Sequence, residues 1–116
     1  MDSISDITKR INEFRDARDW KQFHNPKDMA LSISIEAAEL MEQFQWKNEE
    51  ECAEQIKKNR EAVADEMADV AIYLFELADL MKMDLGREML RKLGKNAVKY
   101  PVQKAKGSNR KYNDLN

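Results

Sequence analysis

Apolar residues recur three and four positions apart through most of this chain, and only three Gly and two Pro interrupt it. Ala, Leu, Met, Glu and Lys fill the intervening positions, all residues that lose little on entering a helix. These 116 residues therefore read as one all-α domain spanning 1–116, a four- to five-helix bundle whose last stretch, 101–116, is a basic tail.

The periodicity predicts a first helix to about Arg18, capped by Ser3 or Asp2, with Ile4, Ile7, Ile11 and Phe14 on one face. DWKQFHNP reads as a loop, and Pro26 near a helix start loses no needed hydrogen bond. A second helix follows from about Lys27 to Gln45. A third opens in the Glu-rich segment after Asn48 and runs to about Met81, with a candidate break at Asn59 and Arg60. Asp84 caps a fourth, about Leu85 to Val98, with Leu85, Met89, Leu90, Leu93 and Ala97 as its stripe. From Val70 to Phe75 the residues are apolar around the whole helix, which demands cover on all sides. That predicts self-association as a dimer or tetramer.

A formal net charge of −2 with dispersed charges argues against a nucleic-acid-binding surface, despite the basic end. No apolar run reaches the length of a signal or membrane span, so no membrane association is expected. The lone Cys52 cannot close an intrachain disulfide, which suits a reducing cytoplasm.

Inside the apolar runs stand two acidic pairs, Glu36 with Glu39 in LSISIEAAELMEQFQW and Glu66 with Asp69 in VADEMADVAIYLFELADLM. Residues three apart share a helix face, so two packed helices would bring all four carboxylates together. Desolvating them is expensive without a compensating cation. The oxygen-only donor set suits Mg2+, with Mn2+ as a substitute, and lacks the imidazole or thiolate that zinc favours. Asp65, four positions before Asp69, is a reserve ligand. The competing reading is structural: with 22 acidic residues, some pairs arise by chance and form salt bridges, and the chain is then a non-catalytic helical homo-oligomer.

Trp20, Phe23, His24, Trp46 and Tyr73 are spread around the acids rather than gathered in one stripe, so they serve either as rigid contacts to a ligand or as core and helix-end packing. The terminal KAKGSNRK run, read by itself, is a solvated basic tail.

EAAE at 36–39 and EMAD at 66–69 resemble the acidic pattern of the all-alpha nucleoside triphosphate pyrophosphatases, the MazG-like and dUTPase-like superfamily, although Ile35 replaces its sometimes doubled Glu. The likeness extends through RDWKQFHNPKDMALSISIEAAELMEQFQW, DEMADVAIYLFELAD, NAVKYP and GSNRKY, and is strongest to the dCTP pyrophosphatase branch. It implies hydrolysis of a nucleoside triphosphate to monophosphate and pyrophosphate. Glu36, Glu39, Glu66 and Asp69 would be the metal ligands, with Glu39 also activating water. Trp20, His24, Trp46 and Tyr73 match positions that face the nucleotide, while Lys27, Asn96, Lys99, Ser108, Arg110 and Lys111 would bind the phosphate chain. That branch carries a first-helix histidine where this chain has Ile11, so the resemblance implies pyrimidine deoxynucleotides over a broader range than dCTP alone. dUTP, purine and non-canonical triphosphates are the alternatives.

Overall fold

A computed structural model describes residues 3–115, and the alternative cap Asp2 lies outside them. The described residues are helical, without strands, and form two compact units, one up to Met83 and one from Asp84.

In the first unit, α1 spans Ile4–Ala17, α2 Pro26–Glu42, α3 Glu49–Lys58 and α4 Arg60–Leu80. Their starts are set by side chains that satisfy otherwise orphaned amides. Ser3 accepts from the Asp6 amide at 3.0 Å and Asn25 from that of Asp28 at 2.9 Å, with Pro26 in the first turn of α2. Asn48 and Glu51 form a reciprocal capping box at 2.9 and 3.1 Å, the arrangement that starts α3. The candidate break is real: α3 stops at Lys58 and α4 begins at Arg60, with Asn59 outside helical geometry between them. A short 3-10 turn, Lys21–Phe23, lies in the first loop.

α4 is the hub, packing against α2, α1 and the short α3. Among the described residues, Met29 of α2 and Val63 and Ala78 of α4 are the buried apolar ones, with Met29 only 2% exposed. The circumferential cover expected for Val70–Phe75 is incomplete. Ile72 and Leu74 are exposed and their neighbours half-buried, because α1 and α2 occupy only part of the surface around α4. Phe14, assigned to the inner stripe of α1, is exposed too, while Arg15 beside it is buried. The Arg18 guanidinium lies 3.6 Å from the centre of the Phe14 ring, covering it from outside.

In the second unit, α5 (Leu85–Lys99) starts at Asp84, which accepts from the Arg87 amide at 3.0 Å. The expected tail contains more structure than its turn-prone composition suggested: a one-turn α6, Val102–Ala105, and a 3-10 turn, Tyr112–Asp114. Tyr100 meets Tyr112 edge-on at 6.2 Å, and the Lys99 ammonium lies 4.8 Å from the Tyr112 ring centre. Six α-helices are thus present among the described residues, one more than the upper expectation, the extra one being the single turn of α6.

Candidate metal centre and adjoining cavity

Glu36 and Glu39 lie one turn apart on α2, and Glu66 on α4 faces them. One carboxylate oxygen from each lies within 4.8 Å of the others. Such proximity opposes ionisation. Burial first, then the hydrogen bond and charge of Glu39 and the charges of Asp69 and Glu66, push the Glu36 carboxyl up to about 7. Glu66 is raised as well, by burial and by Glu39, with a contact from Glu36 pulling the other way. Oε2 of Glu36 and Oε2 of Glu66 are enclosed without a hydrogen-bond partner. Among the described residues no Lys, Arg or His of this chain pairs with Glu36, Glu39, Glu66 or Asp69. Enclosed, unpartnered oxygens on Glu36 and Glu66, with a Glu39 oxygen within 4.8 Å, fit a hard divalent cation.

Asp69 is one turn beyond Glu66 but outside the three-acid cluster. It lines the neighbouring cavity of about 650 Å³, while its charge still raises Glu36 and Glu66. The reserve ligand Asp65 is exposed and also outside the cluster.

The cavity is walled by α1, the following loop and α4. Trp20, His24 and Tyr73, three of the expected nucleotide-facing residues, lie in its wall with Ile7, Ile11, Phe14 and Ile72. Trp20 meets Phe14 edge-on at 5.8 Å, and its ring lies 6.5 Å from that of His24. The Tyr73 phenol is pushed up by burial and by the charges of Glu36, Asp69, Glu76 and Glu39, so it stays a neutral hydrogen-bonding group. A volume of this order and a mostly apolar lining with a few polar groups suit a small organic ligand.

Trp46 and Lys27 are not among the residues of this wall. Trp46, with a left-handed φ of 67°, is 91% exposed and lies outside the cavity wall. Lys27 is exposed in the first turn of α2. Asn96, Lys99, Ser108, Arg110 and Lys111 belong to the second unit, where Ser108 and Arg110 line a separate polar hollow with Lys104 and Asn109.

Arg15, at 5% exposure, and Glu76, at 2%, were missed by the sequence reading, as was Arg10 on the cavity wall. A usable signal existed for Glu76: it stands seven residues after Asp69 and three after Tyr73, on the same helix face. Arg15, four residues after Ile11, likewise continues the inner stripe of α1.

Residues 31–115 match the MazG-like family model. The chain is 41% identical to the dCTP pyrophosphatase 1 of Rattus norvegicus and 39% identical to that of Homo sapiens, each alignment covering 97% of this chain and 68% of the relative. Its structure resembles that of a pyrophosphatase from Archaeoglobus fulgidus, with a TM-score of 0.80 and 42% identity over 84% of this chain and 91% of that one. The helical fold, the acidic cluster and these likenesses together define a nucleoside triphosphate pyrophosphohydrolase. The chain belongs to the MazG-like family.

Proposed function

We propose that the protein hydrolyses pyrimidine deoxynucleoside triphosphates such as dCTP between the α and β phosphates, dependent on Mg2+ with Mn2+ as a substitute. The observation that carries this reading is the cluster of Glu36, Glu39 and Glu66 beside a cavity walled by Asp69, Trp20, His24 and Tyr73. The three glutamates would hold the metal, with Asp69 completing the acidic face toward the cavity. When bound, magnesium neutralises triphosphate charge and lowers the pKa of water. Glu39 orients the attacking water and accepts its proton. Trp20 and Tyr73 pack against the base, and Lys27 supplies positive charge near the amides that open α2. Asn96, Lys99, Ser108, Arg110 and Lys111 bind the phosphate chain.

The whole chain acts as one catalytic domain in the cytoplasm, assembled as a dimer or tetramer. Support for assembly comes from the exposed Leu31, Ile35 and Met41 on α2 and Met67, Ile72 and Leu74 on α4. The solvent-facing Trp46 belongs to the same reading. A second substrate reading, dUTP or another triphosphate, draws on Ile11, which places an aliphatic side chain in the cavity wall and no hydrogen-bonding group.

The deciding experiment measures pyrophosphate release from all canonical and several modified triphosphates, with Glu39→Gln and Asp69→Asn as folded controls. Pyrophosphate from pyrimidine deoxynucleotides, lost by at least about 100-fold in both variants, supports the reading. Release of inorganic phosphate would overturn the position of cleavage, and equal turnover of purines and pyrimidines the base preference. A melt unmoved by magnesium with a non-hydrolysable triphosphate would return the protein to a scaffold role.

A further inference from the structure

Glu76 is a buried carboxylate that the metal-centred chemistry leaves unused. Its Oε2 lies 2.7 Å from Nδ1 of His24, and its Oε1 3.8 Å from Nη1 of Arg15, whose Nε donates to Asp16 at 2.9 Å. Two lone pairs are not held facing each other at that separation, so one of the two atoms carries a proton. With the Arg15 guanidinium beside its other oxygen, Glu76 is the acceptor of the pair and Nδ1 of His24 the donor. In this conformation the N–H is off the line of a hydrogen bond. A small rotation about the soft terminal torsion of histidine aligns it. A neutral imidazole protonated at Nδ1 carries its lone pair on Nε2. His24 and Glu76 share their cavity with Trp20 and Tyr73.

We propose that Glu76 is a positioning residue which fixes the Nδ1–H tautomer of His24, so that Nε2 accepts from an exocyclic amino group and the cavity selects amino-bearing bases, cytosine over uracil. The proposal rests on the reading that this cavity receives the base. An oxo group at the same place would set its lone pairs against that of Nε2, leaving both unsatisfied.

His24 is the sole histidine of the chain, so nitrogen NMR of labelled protein at about pH 8 reports one imidazole, above its ordinary protonation range. The expected spectrum shows a proton on Nδ1 and a bare Nε2. In Glu76→Gln, Arg15 attracts the single amide oxygen and the NH2 turns to Nδ1, which reverses the tautomer. The dCTP-to-dUTP ratio of kcat/KM then falls about tenfold, the loss of one hydrogen bond with charged support. The change appears mainly in KM, with pyrophosphate still the product and the magnesium dependence unchanged. An Nε2–H tautomer or an imidazolium in the wild type overturns the proposal, as does an unaltered base ratio in folded Glu76→Gln. If that variant does not fold, the wild-type spectrum decides alone. A wild-type protein that releases no pyrophosphate from any triphosphate overturns the functional reading instead, whatever the tautomer.

Discussion

Without metal, the protein should become less stable between about pH 4.5 and pH 8, and Glu36 should carry a measurable part of the loss. Its carboxyl has an ordinary value of 4.5 and is pushed to about 7 in the fold, by burial before anything else. Below 4.5 it is neutral in both folded and unfolded chains and carries no penalty. As the pH rises toward 7 the unfolded chain ionises while the folded one resists, so stability falls; above 7 the full penalty is present. At about 1.4 kcal/mol per pH unit the gap is worth at most about 3.5 kcal/mol, and solvent access to this half-buried side chain reduces that to roughly 1–2 kcal/mol. For a chain of this size the corresponding shift in Tm is roughly 3–10 °C. Thermal melts in chelator across this range, compared with Glu36→Gln, isolate the contribution from the other titrating groups. The variant should show a flatter profile and melt higher than wild type at about pH 8. Magnesium at about 100 times its Kd should then add about 2.7 kcal/mol to wild type and markedly less to the variant. Parallel profiles for the two proteins would refute the reasoning, because they would show that Glu36 ionises in the fold as easily as in the unfolded chain.

Glu76→Ala leaves the enclosed Arg15 without its partner across the helices and should cost about 3–5 kcal/mol in urea unfolding. Met29→Ala, at the best-buried apolar position, should lose about 2–4 kcal/mol, read as a lower denaturation midpoint with an unchanged slope. Asn48→Ala removes one half of the capping box of α3 and should cost about 1 kcal/mol, with early fraying of α3 visible as faster amide exchange at Glu51 and Cys52.

Helix starts were legible because caps are local chemistry: Ser3, Asn25, Asn48 and Asp84 each sit within three residues of the amide they satisfy. The Asn59 break was legible for a similar reason, since the change from polar to apolar sequence falls there. Cover was not legible. Apolarity around α4 says that a surface needs a neighbour, but which neighbour and how much of it are decided by packing. Phe14 left its expected place on the inner stripe while Arg15 beside it is buried, because an arginine joined to a carboxylate on another helix can be buried, whereas a phenylalanine beneath an arginine can stay outside.

Sequence spacing alone determined that Glu36 and Glu39 share one face and Glu66 and Asp69 another, because the pitch of a helix is fixed by its backbone. Tertiary structure decided how the faces meet. Packing of α2 on α4 joins Glu36, Glu39 and Glu66 within 4.8 Å and leaves Asp69 on the cavity wall. It also brought Arg15, His24 and Glu76 together from three separate segments. Such convergence depends on distances between helices, which no periodicity along a single helix encodes.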